Sequence, residues 1–280
     1  ANYFVKKKRK CRISLVSQIQ MKLKKKIKKI IKKKNKNPII CLTAYSKKIA
    51  QIADKYCDIT LVGDSLGMVL YGMKTTREVK LDTMILHAKT VKNYSKKSLV
   101  VFDMPYKTYT NRFNAYRNAK MVIKKTKCDA IKLEGGKEIS TIIKHLTKKG
   151  IPVVGHIGLQ PQKAKTFKVQ GKTSRDEKKI FQDAQAVYKS GVFALIIECV
   201  VERVAKNITK NVPIPTIGIG ASKYCDGQIL VTEDLLGLSD LKPKFVKQYS
   251  NLSILIEKCI KKYASDVKNK KFPFNNNVYK

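Results

Sequence analysis

Ile59-Thr60-Leu61-Val62-Gly63-Asp64 is the stretch on which the architecture turns. It is a short, β-branched, apolar run with no polar alternation, closed by a carboxylate. A strand that is apolar on both faces is buried on both faces, which is the texture of a parallel sheet. The same order recurs along the chain. Asp103 closes Val100-Val101-Phe102, Glu134 closes Ile131-Lys132-Leu133, His156 closes Val153-Val154-Gly155, and Glu198 closes Leu195-Ile196-Ile197.

Working outward, eight such runs are found: Ile39–Thr43, Ile59–Gly63, Leu99–Phe102, Ala130–Leu133, Ile151–Gly155, Phe193–Ile197, Pro215–Ile219 and a weaker Gln228–Val231. Segments long enough for crossover helices separate them, among them Ser46–Tyr56, Asp82–Tyr94, Arg112–Lys125, Glu138–Lys149 and Glu177–Ser190. Buried runs alternating with helices predict an α/β protein. Eight of them predict a closed (β/α)8 TIM barrel in a single domain. No G-x-G-x-x-G turn follows an early strand, which argues against a dinucleotide fold. The chain divides into a Lys-rich extension and helix (1–37), a barrel (38–265) and a polar tail (266–280). Leu252 to Tyr263 reads as a final helix.

In a barrel the strand C-termini share one mouth, and catalytic groups gather there from several strands. Asp64, Asp103, Glu134, His156 and Glu198 are therefore expected in one pocket. Two like charges about 4 Å apart repel by ~4 kcal/mol at an effective dielectric near 20, so these carboxylates need a cation, a proton or a basic neighbour. Oxygen donors without paired His or Cys select a hard ion, Mg²⁺ first and Mn²⁺ second. Lys132 lies two residues before Glu134 and shares its strand face. Plainer readings stand beside these. Asp64 could be a helix N-cap, and His156 a structural histidine. His87 and His145 fall in helical segments. Cys199 should face away from the barrel interior. Gly135-Gly136 is a plain turn or a backbone anion site.

The formal charge is +40, from 60 basic and 20 acidic residues. Only seven of the basic residues are Arg, and the lysines are spread along the whole chain. Nucleic-acid binding favours a localised, Arg-containing patch, so the charge reads as lysine drift and no nucleic-acid partner is expected. The seven cysteines are scattered and form no C-x-x-C pair. They fit a reduced, cytoplasmic protein. No apolar run reaches the roughly 18–20 residues of a membrane span. Residues 1–37 hold 16 basic and no acidic residues. Met21 offers an alternative start, which would put residues 1–20 upstream of it. Beyond it, Leu23, Ile27, Ile30 and Ile31 form one helical stripe. A helix packed on a domain face is preferred to one lying on a membrane surface.

Several motifs resemble one family. They are Leu61-Val62-Gly63-Asp64-Ser65-Leu66-Gly67-Met68, Asp103-Met104-Pro105, Lys132-Leu133-Glu134-Gly135-Gly136, Gly155-His156-Ile157-Gly158-Leu159 with Pro161-Gln162, Lys168-Val169-Gln170-Gly171, Glu198-Cys199-Val200, Ile217-Gly218-Ile219-Gly220-Ala221 and Asp226-Gly227-Gln228. In this order and spacing they resemble 3-methyl-2-oxobutanoate (ketopantoate) hydroxymethyltransferases, over about Pro38 to Tyr249. The resemblance implies a (β/α)8 barrel with a divalent metal, Mg²⁺ or Mn²⁺. It implies hydroxymethyl transfer from 5,10-methylenetetrahydrofolate to 3-methyl-2-oxobutanoate through a metal-stabilised enolate, an early step toward pantothenate. It also implies a homo-oligomer, a decamer. Asp64 and Asp103 would hold the metal, with Glu134 completing its site. Ser65 and Lys132 would hold the 2-oxoacid. Glu198 would take the proton, and Thr43, Tyr45 and His156 would line the pocket.

Three departures accompany the resemblance. The Lys-rich first 37 residues are not expected in the family. Lys163–Phe167 is short for its place, and Val201 stands where proline is expected. Two other readings compete. One is a different enolate-forming barrel, such as a lyase of the isocitrate lyase and phosphoenolpyruvate mutase type. The other is a basic scaffold on a degenerate barrel, in which the carboxylates should have been lost.

Overall fold

All eight apolar runs form strands, each paired in parallel with its neighbours. The computed structural model describes residues 21–164, 166–241 and 243–279. The strands are β1 (Ile39–Thr43), β2 (Ile59–Val62), β3 (Leu99–Asp103), β4 (Ala130–Glu134), β5 (Val153–Gly158), β6 (Ala194–Glu198), β7 (Thr216–Ile219) and β8 (Gly227–Leu230). They run in sequence order around a closed barrel, and β1 closes it on β8 with Ile39 opposite Gly227.

The helices are α1 (helical across residues 21–31), α2 (Lys47–Tyr56), α3 (Leu66–Tyr71), α4 (Leu81–Tyr94), α5 (Arg112–Thr126), α6 (Ser140–Lys148), α7 (Ser174–Lys189), α8 (Glu202–Asn211), α9 (Thr232–Leu236) and α10 (Leu252–Lys268). Residues 220–226, between β7 and β8, contain no helix. The chain falls into two compact units, the first ending at Leu230 and the second opening at Val231. The second unit holds α9 and α10; α10 runs five residues past Tyr263 and buries none of its residues.

Strand alternation sorts the first unit's apolar residues into two cores. Leu99 and Val101 of β3, Ala130 of β4, Val154 of β5, and Ala194 and Ile196 of β6 pack inside the barrel. The intervening Val100, Phe102, Ile131, Leu133, Leu195 and Ile197 pack outward with the helices. Alternation makes each next inward position predictable, and those positions carry the polar residues: Asp103, Lys132, Glu134, His156 and Glu198.

The Lys-rich helix α1 closes the other end of the barrel. Ile30 is buried and joins the interior core, with Ile27 packed against it. Ile31, expected on the same stripe, is 38% exposed. Lysines on this segment reach aspartates that precede strands. Lys33 Nζ donates to Asp58 Oδ2 at 2.6 Å and Lys34 Nζ to Asp226 Oδ2 at 2.9 Å. Lys26 Nζ lies 3.5 Å from Asp129 Oδ2 and donates to the Ser98 carbonyl at 2.7 Å. The preferred packing of this helix on a domain face is thereby found, at the N-terminal rim of the strands. Residues 1–20, on which the alternative start at Met21 turns, lie outside the described residues. Among the described residues no helix is long and apolar enough to cross a membrane.

Candidate active site

Strand register brings the first polar pair together. Asp103 stands opposite Lys132, and Glu134 opposite His156, across adjacent strands. Lys132 Nζ donates to Asp103 Oδ2 at 2.7 Å and reaches Glu134 Oε1 at 3.5 Å. His156 bridges outward from there. Its Nδ1 lies 3.5 Å from Glu134 Oε1 and its Nε2 3.1 Å from Glu198 Oε2. Both ring nitrogens are buried without hydrogen-bond alignment, so these are charge contacts more than directed bonds.

Asp64 arrives differently. β2 ends at Val62, and the chain turns so that Asp64 is buried beside Asp103, its backbone N–H donating to Asp103 Oδ2 at 3.3 Å. It is not the cap of α3. Ser65 occupies the N-cap position and makes no side-chain cap bond. Ser65 Oγ instead lies 2.8 Å from the Tyr45 hydroxyl. His87 supports Tyr45 through its carbonyl at 2.7 Å, a structural role. Thr43 is buried at the end of β1, on the inward parity of Ile39 and Cys41.

Asp64, Asp103 and Glu134 offer oxygen atoms that all lie within 4.8 Å of one another. Burial pushes the Asp64 carboxyl well above its ordinary range, and the neighbouring Asp103 and Glu134 charges push it further. Burial also raises Asp103, against the pull of Lys132. For Lys132 burial works downward, but Asp103, Glu134 and Asp64 outweigh it and hold the ammonium charged. His156 is likewise lowered by burial and by Lys132 yet raised more by Glu134 and Glu198, to about 9. Asp103 Oδ1 is buried with no hydrogen-bond partner. Three buried carboxylates, one of them with an unpartnered oxygen, fit a hard cation held by oxygen donors. The group could hold a metal ion.

Two residues that carried no expected role complete the site. Gln162 Nε2 donates to Asp64 Oδ2 at 2.7 Å and to the Met104 carbonyl at 3.0 Å, and the Gln162 backbone N–H donates to Glu134 Oε2 at 3.1 Å. The Tyr109 hydroxyl donates to Gln162 Oε1 at 2.5 Å. The only hint of Gln162 in the sequence was its place in the Pro161-Gln162 motif; a glutamine in a loop has no periodicity to reveal burial.

Three finer expectations change. The Gly135-Gly136 turn offers no free anion site, because its N–H groups are used internally: Gly135 donates to the His156 carbonyl at 3.0 Å, Gly136 to Glu138 Oε2 at 3.1 Å, and Lys137 to Asp183 Oδ1 at 2.8 Å. Cys199 does not continue the alternation of β6, because the strand ends at Glu198 and Cys199 takes φ 48°. Val201 uses the N–H that proline would lack, donating to the Gln170 carbonyl at 3.0 Å. Of the short segment Lys163–Phe167, Lys165 lies outside the described residues.

With this geometry in place, similarity to known proteins becomes specific. The ketopantoate hydroxymethyltransferase family model matches residues 24–275. The chain belongs to this family. The ketopantoate hydroxymethyltransferase match begins inside α1, so the Lys-rich helix is within the family's span, contrary to the expectation that residues 1–37 lie outside it. The 3-methyl-2-oxobutanoate hydroxymethyltransferase of Pelagibacter ubique is 54% identical over 257 residues, covering 92% of this chain and all of that one. That of Rhizobium etli is 49% identical, covering 88% and 92%. The chain is thus a hydroxymethyltransferase-family enzyme, not a degenerate scaffold.

Solved structures bear out the barrel. Phosphonopyruvate hydrolase in complex with oxalate and Mg²⁺ superposes with TM-score 0.58 at 12% identity, covering 91% of this chain and 92% of that one. A 2,3-dimethylmalate lyase of the PEP mutase/isocitrate lyase superfamily superposes with TM-score 0.58 at 11% identity, covering 93% and 92%. At these identities the likeness concerns the fold alone.

Proposed function

We propose that this enzyme transfers a hydroxymethyl group from 5,10-methylenetetrahydrofolate to 3-methyl-2-oxobutanoate through a Mg²⁺-stabilised enolate. The product is 2-dehydropantoate (ketopantoate), on the route to pantothenate and coenzyme A. The observation that carries the reading is the continuous chain of contacts from the carboxylate group through Lys132 and His156 to Glu198. It supports reading a cation site and a base at one barrel mouth.

Asp64 and Asp103 would hold the metal, with Glu134 completing its site. A donor set of carboxylate oxygens with no Cys or paired His supports that choice of ion. When bound, Mg²⁺ supplies Lewis acidity that lowers the cost of negative charge on a 2-oxoacid's keto oxygen. Lys132 adds positive charge beside the 2-oxoacid carboxylate, and the paired hydroxyls of Ser65 and Tyr45 orient it from the β1 and β2 side, next to Thr43. Glu198 is 17% exposed at its side chain while His156 beside it is buried. It therefore faces the open side of the site, where it takes the C3 proton. The resulting carbanion equivalent forms the new bond to the one-carbon unit. Water supplies the hydroxyl oxygen, and tetrahydrofolate leaves. The enzyme acts in the cytoplasm as a homo-oligomer. The exposed apolar side chains of α10, among them Ile254, Leu255 and Ile260, support association.

Exchange of the C3 proton isolates the first step from folate. Incubated with 3-methyl-2-oxobutanoate in D₂O, the protein should exchange C3–H only with Mg²⁺ present, and Glu198→Gln should abolish the exchange. A folded protein that shows no exchange would overturn the enolate mechanism.

A further inference from the structure

We infer that Gln162 is a positioning residue for the metal site, a single side chain and its own backbone that aim two of the three carboxylates. The inference rests on the metal reading above and concerns a residue outside the proposed ligand set.

Each carboxylate has at least one oxygen held by a protein donor, and Glu134 Oε1 is also reached by Lys132 Nζ at 3.5 Å. Asp103 Oδ2 is held by Lys132 Nζ at 2.7 Å. Asp64 Oδ2 is held by Gln162 Nε2 at 2.7 Å, and Glu134 Oε2 by the Gln162 N–H at 3.1 Å. Gln162 thus ties Asp64, which follows β2, to Glu134, which ends β4. These two ligand candidates come from strands that are not neighbours. Lysine can perform this service for Asp103 because its strand adjoins β4. Asp64 lies beyond the end of β2 and has no inward strand position from which register could aim it.

Gln162 is itself over-determined. It is buried at 1% exposure, its Nε2 also bonds the Met104 carbonyl, and its Oε1 accepts the Tyr109 hydroxyl. Asp64 Oδ2 and the Met104 carbonyl can only accept, so the amide nitrogen faces them, and Oε1 is left to accept from the Tyr109 hydroxyl. A flipped amide would set its oxygen against the Asp64 carboxylate. The arrangement uses one amide to hold Asp64 and one N–H to hold Glu134, in a group whose carboxylate oxygens lie within 4.8 Å of one another. Partners of this kind, which orient ligands without touching the metal, are worth about 10–100-fold in metal affinity.

Mn²⁺ binding to the full chain, followed by electron paramagnetic resonance of the free ion, tests this without turnover. Gln162→Met keeps the volume and removes the amide, while the backbone N–H remains for Glu134. It should weaken Mn²⁺ binding by about 10-fold or more. Tyr109→Phe leaves Gln162 in place but removes the donor that anchors its Oε1, and should weaken binding by a smaller factor, about threefold (well short of the full second-partner effect). A merely structural glutamine would lower the melting temperature and leave Mn²⁺ affinity unchanged in the folded fraction. Parent protein that binds Mn²⁺ together with Tyr109→Phe and any folded Gln162→Met that bind it equally well would overturn the positioning role alone. Parent protein that binds no Mn²⁺ would overturn the metal site, and this role with it.

Discussion

Gly158 shows how one residue without a side chain serves the proposed base. It takes φ +89°, and a Cβ placed there would lie 2.3 Å from the Glu198 carbonyl oxygen and 2.6 Å from Val200 Cγ2. The Leu159 N–H donates to that same carbonyl at 2.8 Å, so the β5 and β6 ends are pressed together just where Glu198 projects. Gly72 offers an internal comparison, with φ +64° but nothing within 4 Å of its Cβ position. Gly72→Ala should cost only the left-handed penalty of roughly 1–2 kcal/mol. Gly158→Ala should cost more, about 2–4 kcal/mol with the clash added. It should also slow C3 exchange by displacing Glu198. Paired thermal melts and exchange rates check this; equal melts for the two variants would show that the close approach is unimportant.

The element that most repays attention is α1. Its periodicity predicted a helix with one apolar face, and Ile27 and Ile30 obey it. Periodicity could not say where the helix docks, because the charged partners of Lys26 and of Lys33 and Lys34 just after it come from three separate strand starts: Asp129, Asp58 and Asp226. Only barrel closure puts those aspartates on one rim. Asp226 binds most densely, accepting from Lys34 Nζ at 2.9 Å, the Asn35 N–H at 2.8 Å and the Thr216 N–H at 2.8 Å. Burial pushes its pKa up, but these donors outweigh that and bring it below the ordinary 3.8. Its folded value is therefore below its unfolded one. The stabilisation is fully present above pH 3.8 and is lost as pH falls through the folded value. Asp226→Asn should be less stable than the parent at neutral pH and should show a shallower loss of stability below about pH 4. Melts across that range decide it; parallel curves for the two proteins would remove Asp226 from the acid response.

At the scale of the whole molecule, the charge of +40 first competes with the site as a clue to function. Part of it is structural, since Lys26, Lys33, Lys34, Lys92 and Lys132 each face an aspartate. The apolar surface is the better guide to partners. Ile254, Leu255, Ile256, Ile260 and Tyr263 of α10 are each 47% exposed or more, and large apolar side chains left exposed together on one helix favour association. Sedimentation at micromolar concentration should therefore give a mass that is a multiple of 31.8 kDa. A monodisperse monomer would exclude the homo-oligomer.

What the sequence determined by itself was the barrel and the inward residues of its strands. Apolar runs with little polar alternation call for burial on both faces, as β2 to β7 show, and the two-residue period then fixes Asp103, Lys132, Glu134, His156 and Glu198 on the inner side. What only the tertiary structure decided lies off the strands. Asp64 breaks the parity of β2 and enters through a turn, Gln162 and Tyr109 arrive on loops, and α1 finds its aspartates across the rim. Loops carry no periodicity, so their side chains acquire direction only from the groups that closure brings to meet them.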